Sequence, residues 1–216
     1  MLCILAGVVV LAGAAAWLVL LSSVLGVRTV DVTGTRGDTS AAVRDIAAIP
    51  DGQPLARLDT DAITDRLMAL PQVESVSVQR SWPSTVRIAV VERTPVALVD
   101  LDGAQWLIDA HGVLFAQVTT PPPGIPLLEV ERASAQDRAT LAAVQVIGVL
   151  PADVRERLAR VSAATPDSVV LHMVGGRTVI WGSAEDSERK AIVLAGVFSQ
   201  PGGTLDVSSP EAVVIR

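Results

Sequence analysis

The clearest pattern of hydrophobic and polar positions lies between residues 73 and 97. Val76 and Val78 alternate with polar residues, and after a break the branched residues at 86, 88 and 90 alternate with polar or small ones. This period of two predicts two strands, because successive side chains of a strand point to opposite faces. Ser81-Trp82-Pro83-Ser84 predicts the turn, since proline fixes its own φ angle and cannot donate to a strand ladder. An isolated hairpin is marginally stable in water, so we expect another element to cover its apolar face.

The residues before the hairpin supply that cover. Valines at 27, 30 and 32 predict a first strand that ends at Gly34. Helical spacing predicts two amphipathic helices, one over residues 41–48 and one that begins near Asp59 and carries Ile63, Leu67 and Leu70 on one side. The predicted order β-α-α-β-β places both helices on one face of a three-stranded sheet, in a domain of residues 27–93.

Residues 94–216 predict a second domain, a mixed sheet with helices on one face, so the predicted class is α+β. The predicted strands lie at 96–101, 105–108, 113–116, around 161, and at 169–173, 178–181, 205–207 and 213–216. Ser134 with Asp137, and Ser183 with Asp186, resemble capping boxes that open helices extending to about residues 149 and 198. A further short helix is predicted over residues 155–160.

The N-terminal region predicts a membrane anchor over residues 1–26. Residues 2–25 contain no charged side chain. At about 1.5 Å per residue, a helix of this length crosses a hydrocarbon core of roughly 30 Å. The alternative is a cleaved signal peptide, but that would normally have a shorter apolar run and a basic start. We expect the N-terminus in the cytoplasm and the body outside it, so either the start lies upstream or translocation of the body overrides the bias of Arg28.

Composition narrows the classes of function. The net charge of the 216 residues is −6, so the sequence has no overall basic character of the kind that favours nucleic-acid binding. Half of the residues are hydrophobic but 3% are aromatic. The single cysteine, Cys3, lies in the apolar N-terminal run and excludes an internal disulfide.

The search for catalytic chemistry finds no motif. His111 lies in a predicted turn and His172 in a predicted strand, and neither has a second residue at metal-ligand spacing. Asp59 and Asp61 are interpreted as helix-start charges. We therefore expect no catalytic, cofactor or metal site, and a protein that is not an enzyme.

Two features leave both a structural and a functional interpretation open. Glu92 and Arg93 form either a surface pair or a contact with a partner or the domain junction. Trp82 either packs over Pro83 or serves as an exposed anchor for a partner.

Several short motifs together carry a resemblance to a known family. They are Gly34, G-x-x-L at 52–55, L-P-x-V at 70–73, Arg80-Ser81-Trp82-Pro83, V-x-E-R-x-P-V-A at 90–97 and Trp106-Leu107-Ile108-Asp109. The chain resembles the FtsQ/DivIB family of bacterial cell-division proteins, whose body is a POTRA domain followed by a β domain. The resemblance implies a non-enzymatic, single-pass membrane scaffold of the divisome at the division site.

The resemblance also implies a binding site. The last strands of such proteins recruit the coiled-coil partners FtsB and FtsL (DivIC-like) by strand pairing, because a sheet edge offers unpaired main-chain groups. In this sequence the implied partner-binding residues are Val213, Val214, Ile215 and Arg216, with Trp82 as a further candidate. The alternatives are a membrane-anchored cell-wall hydrolase with an unrecognised active site and a POTRA-type secretion chaperone.

Overall fold

A computed structural model describes residues 6–13, 17, 25–35 and 39–216 of the chain. The chain passes from one compact unit to a second between Arg93 and Thr94. Residues 6–13 and 17 are helical, and the rest of the predicted membrane span before residue 25 lies outside the described residues. Within the part of the chain that is described, no helix combines the length and the apolar character that crossing a bilayer requires.

The first unit has the predicted β-α-α-β-β order around a three-stranded sheet. Its elements are β1 (Thr29–Thr33), α1 (Thr39–Ala47), a 3₁₀ turn (Leu55–Arg57), α2 (Thr60–Met68), β2 (Val73–Ser81) and β3 (Thr85–Glu92). The strand order is β1-β3-β2, with β1 parallel and β2 antiparallel to β3. The regular alternation of β3 reflects burial of one face of the sheet, since Val86, Ile88 and Val90 are buried and the residues between them are exposed.

The apolar face of the hairpin is covered by the two helices, as the pattern predicts. Val86 and Ile88 are fully buried, and they share a core with Ile63 and Leu67 of α2. Asp59 caps α2 by accepting a hydrogen bond from the backbone N–H of Ala62 at 3.0 Å, which satisfies a free amide of the first turn.

The second unit is built on a nine-stranded mixed sheet. Its elements are β4 (Pro95–Leu101), β5 (Ala104–Asp109), β6 (Leu114–Val118), β7 (Leu127–Val130), α3 (Arg138–Val149), α4 (Ala152–Arg155), β8 (Leu158–Ala163), β9 (Val169–Met173), β10 (Thr178–Gly182), α5 (Ser187–Val197), β11 (Thr204–Asp206) and β12 (Val214–Ile215). The strand order is β12-β11-β10-β9-β8-β7-β4-β5-β6, so β12 and β6 form the two edges.

The main core of this unit lies between the sheet and its helices. Ile147 of α3 and Leu194 of α5 are buried together with Leu171 and Trp181 of the sheet. A smaller cluster of Leu98, Leu107 and Phe115 lies at the β4-β5-β6 end. The predicted mixed α+β architecture is therefore present.

One predicted helix is absent, and one strand was not predicted. The helix expected over 155–160 is absent, because α4 ends at Arg155 and β8 begins at Leu158. β8 lies between β7 and β9, and pairing on both sides outweighs local helix preference. Strand β7 has no counterpart in the sequence analysis, since its four residues are recognisable as a strand only from their parallel pairing with β8.

Neither predicted capping box opens its helix, although Oγ of Ser134 accepts from the backbone N–H of Asp137 at 3.2 Å, as in the first half of such a box. Asp137, not Ser134, is the N-cap of α3, and its carboxylate accepts from the N–H of Thr140 at 2.7 Å. Asp186 is at the N-cap of α5 with φ 52°, and its side chain makes no capping hydrogen bond. In both helices the start is one turn later than the box pattern places it.

Candidate functional site

The residues predicted to bind a partner form one edge of the large sheet. β12 is the last strand in the order, paired antiparallel with β11 so that Ile215 faces Leu205 and Val214 faces Asp206. We call residues 213–216 and their outward main-chain groups the β12 edge. Its position is the one that strand addition requires, since a partner strand can approach the side opposite β11.

The hydrogen bonds of the ladder decide which groups of the β12 edge face outward. Arg216 donates its N–H to the carbonyl of Thr204 at 2.9 Å and accepts from the N–H of Thr204 at 2.9 Å. In an antiparallel ladder such hydrogen-bonded pairs alternate with pairs that exchange no bonds. Val214 therefore directs its N–H and C=O toward β11, whereas Ile215 directs both groups away from it.

The side chains of the β12 edge are divided between the two faces of the sheet. Val213 and Ile215 pack against the main core. Val214 lies on the opposite face and is 41% exposed. An added strand would extend the sheet and shield Val214, which gives the edge an apolar contact in addition to its main-chain groups.

Trp82, the other predicted contact, lies in the first unit. It sits in the turn between β2 and β3, and half of its surface is exposed. A large aromatic side chain in this position has enough free surface to act as an anchor for a partner. Half of the residue therefore stays accessible to a partner.

Arg93, the residue that follows β3, has a local structural role. Arg93 donates from Nε to the carbonyl of Pro71 at 3.1 Å, and its backbone N–H donates to the carbonyl of Gln72 at 2.8 Å. These bonds fasten the residue to the segment that leads into β2.

The two histidines lie in different environments. The Nε2 atom of His172 is 3.1 Å from Oγ of Ser162 on the neighbouring strand. Partial burial lowers the pKa of His172, and the positive charge of Arg160 lowers it further. Arg160 itself pairs with Glu129 at 3.1 Å. His111 projects from its turn with 67% of its side chain exposed. Across the described ranges, no cluster of three or more His, Cys, Asp or Glu residues has an arrangement that could hold a metal ion.

Two aspects of the edge have no signal in the sequence. The first is the assignment of the outward amides, because that assignment depends on the register between Arg216 and Thr204. The second is Arg177, whose guanidinium contacts the loop that leads into β11. A single arginine after a glycine pair carries no sequence signal of its own.

Comparison with known proteins covers nearly all of the body. Residues 25–93 match the family described as "POTRA domain, FtsQ-type", and residues 97–212 match "Cell division protein FtsQ/DivIB, C-terminal". The first match contains Trp82 and the second ends within the segment that leads into β12.

Curated relatives agree with these matches. The cell division protein FtsQ of Mycolicibacterium smegmatis is 37% identical over 208 residues, covering 96% of this chain and 62% of the relative. That of Streptomyces collinus is 40% identical over 218 residues, covering 94% of this chain and 83% of the relative. The chain thus spans about three fifths of the length of the M. smegmatis protein.

One solved structure is also similar, that of the major extracytoplasmic domain of the cell division protein DivIB from Geobacillus stearothermophilus. It is 19% identical, and the match covers 51% of this chain and 98% of that one. The TM-score of 0.37 is too low to support an argument from this likeness. The family matches and the curated relatives are sufficient without it: the chain belongs to the FtsQ/DivIB family of bacterial cell-division proteins.

Proposed function

We propose that this chain is a non-enzymatic scaffold of the divisome that recruits FtsB- and FtsL-type partners by pairing one of their strands with the β12 edge. The observation that carries the proposal is the orientation of Ile215, whose N–H and C=O point away from β11 at the edge of the sheet. A strand added there gains main-chain hydrogen bonds, while pockets for alternate side chains provide specificity.

The proposal includes a membrane anchor and a location. The uncharged run of residues 2–25 supports a single span with the N-terminus in the cytoplasm and the body outside it. The membership in a cell-division family supports placement at the division site. We propose residues 27–93 and 94–216 as the two domains of the extracytoplasmic body.

A second contact on the first domain is part of the proposal. Trp82 is half exposed at the tip of the hairpin. Exposed tryptophan is enriched among the residues that dominate binding at interfaces. We assign it to a contact with another divisome protein.

The hydrolase alternative draws no support from the family matches. The contact between Ser162 and His172 is the nearest approach to a nucleophile–base pair that the described side chains offer. Replacing His111 and His172 together by alanine tests this alternative, since a scaffold is expected to keep its function in dividing cells. Loss of division with a folded double variant would support the hydrolase instead.

The strand-pairing proposal is tested by Ile215→Pro with Ile215→Ala as its matched control. Both variants change the side chain, but only proline removes the outward N–H, and proline is tolerated on the solvent side of an edge strand. We expect Ile215→Pro to weaken capture of the FtsB-type partner about tenfold relative to Ile215→Ala, because a buried carbonyl left unpaired costs about 1–3 kcal/mol. Equal capture by the two variants would contradict strand pairing.

Proline at Val214 tests a different bond. Its N–H is directed to β11, so Val214→Pro should loosen β12 from the sheet as well as weaken capture.

A fluorescent fusion of the full chain provides the cellular test. We expect a signal at mid-cell in dividing cells, and a uniform membrane signal would contradict the scaffold role.

A further inference from the structure

We infer that Arg177 is the positioning residue of the β12 edge: it holds the loop against which β12 is docked and so preorganises the edge for a partner. The inference rests on the proposed strand pairing. It concerns a residue outside the edge, immediately before β10, which the partner strand itself need not touch.

The first step is the contact between Arg177 and the loop that follows α5. Its Nε donates to the carbonyl of Gly202 at 3.0 Å and its Nη2 to that of Gln200 at 2.8 Å, while Nη1 donates to the carbonyl of Phe198. The end of a helix leaves backbone carbonyls without partners. A guanidinium carries several donors in a rigid planar fork and can bind a set of such carbonyls at once.

The second step connects this loop to β12. The N–H of Gly203 donates to the carbonyl of Arg216 at 2.7 Å, and the N–H of Thr178 donates to the carbonyl of Gly203 at 2.9 Å. Gly202 also lies close to the strand, since a Cβ atom on it would be 2.6 Å from Cγ2 of Ile215. The loop whose carbonyls accept hydrogen bonds from Arg177 is therefore in direct contact with the β12 edge.

The third step concerns how the guanidinium is held. Its Cζ atom lies 5.7 Å from the ring centroid of Phe198, and the Cζ atom of Arg157 lies 5.9 Å from the same centroid. Such cation–π contacts help to orient a guanidinium. Phe198 is 8% exposed, so the ring offers a fixed surface. Arg157 shares the ring, whereas the bonds to the loop carbonyls come from Arg177, so Arg157 is a suitable control.

These contacts predict an effect on binding that exceeds the effect on overall stability. The three bonds of Arg177 go to backbone carbonyls, and of those residues Phe198 alone belongs to the main core, so we expect the fold to survive their loss. A free loop would leave β12 less ordered, and a partner would have to order it on binding, which lowers affinity.

The experiment compares Arg177→Ala, Arg177→Lys and the control Arg157→Ala in the full chain. Amide exchange at Gly203, Thr204 and Arg216 is measured without partner, together with the melting temperature and capture of the FtsB-type partner. We expect Arg177→Ala to speed exchange at these amides about tenfold or more and to weaken capture, with Arg177→Lys intermediate. Arg157→Ala should leave the exchange unchanged.

Unchanged exchange in Arg177→Ala would overturn the inference, and so would faster exchange with full capture. If Arg177→Ala fails to fold, the comparison of amide exchange and partner capture is made on Arg177→Lys instead, with the same criteria. Because amide exchange is measured without partner, it tests the contact between Arg177 and the loop independently of strand pairing. Equal capture of Ile215→Pro and Ile215→Ala would instead refute strand pairing while leaving the exchange result intact.

Discussion

The indole N–H of Trp181 donates to Oγ of Ser187 at 3.2 Å in the core of the second unit. Trp181 is fully buried and Ser187 is 5% exposed. Oγ of Ser187 in turn donates to the carbonyl of Ala184 at 2.7 Å. The pair therefore connects β10 to the start of α5 and satisfies a polar atom that burial would otherwise leave unpaired.

Removing the hydroxyl tests the cost of that unpaired atom. We expect Ser187→Ala to lower the free energy of unfolding by about 1–3 kcal/mol, because the buried indole N–H loses its acceptor. Denaturant unfolding measures the change. In the double variant Trp181→Phe/Ser187→Ala, the serine substitution should cost much less, and an equal cost in both backgrounds would contradict the coupling.

Gly34 and Gly52 provide a matched pair for backbone strain. Both have positive φ angles, 84° and 77°, but a Cβ on Gly34 would lie 2.0 Å from the carbonyl oxygen of Val90, whereas one on Gly52 has open space. We expect Gly34→Ala to destabilise the first unit by clearly more than the roughly 1 kcal/mol typical of strain alone at Gly52→Ala. Thermal unfolding compares the stabilities of the two variants. Equal losses of stability would show that the carbonyl of Val90 moves to accept the added Cβ atom.

The lowered pKa of Asp137 predicts that the folded state loses stability in acid. The hydrogen bonds from the side chain and then the backbone of Thr140 lower the pKa of Asp137 below 3.8. A depressed carboxyl pKa contributes stability that is present above the unfolded value and is lost as the pH falls through the folded value. Asp137→Ala should cost about 0.5–2 kcal/mol at neutral pH.

Asparagine is the control at the same position, since it keeps a capping oxygen but does not titrate. Asp137→Asn should retain most of the stability at pH 7 and lose the contribution of this residue to the slope below pH 3.8. Unfolding curves from pH 2 to 7 provide the measurement. If stability falls with pH as steeply in Asp137→Asn as in the unmodified chain, Asp137 is not the source of the acid sensitivity.

The lowered pKa of His172 predicts a second pH dependence of the free energy of unfolding. Burial and the charge of Arg160 lower its pKa below 6.5, so the folded state binds its proton less readily than the unfolded state does. Stability therefore falls as the pH drops from 6.5 through the folded pKa, and the cost is complete below it. His172→Gln should remove this part of the slope. Parallel stability curves for the two proteins between pH 4 and 7 would contradict the prediction.

Trp82→Ala separates binding from packing on the first unit. Since half of the side chain is already exposed, we expect a small loss of stability and reduced co-purification of divisome proteins. Val91→Ala, at another half-exposed apolar residue of the same unit, should leave co-purification unchanged. A large fall in melting temperature for Trp82→Ala, with co-purification intact, would assign the side chain to packing.

The predictability of the fold follows from the range of the interactions involved. The β2–β3 hairpin could be predicted because period two, the turn residues and the apolar face are all local. β7 could not, because its four residues become a strand through long-range parallel pairing. The helix starts at Asp137 and Asp186 also differ from the pattern: Ser134 accepts from the N–H of Asp137 before the helix begins, and Asp137 then caps it by accepting from the N–H of Thr140.

The sequence by itself determined the α+β class, the order of elements in the first unit and the segment, residues 213–216, that carries the candidate edge. The class and the order of elements follow from alternation and spacing, which are properties of consecutive residues, whereas the binding role of residues 213–216 is what the resemblance to the family implies. Only the tertiary structure decided that Ile215 rather than Val214 presents its main chain outward, because the phase of a ladder depends on the partner strand. It alone brought Arg177 to the carbonyls near Gly202, which lie far away in sequence and meet it only when β10 and β11 pair.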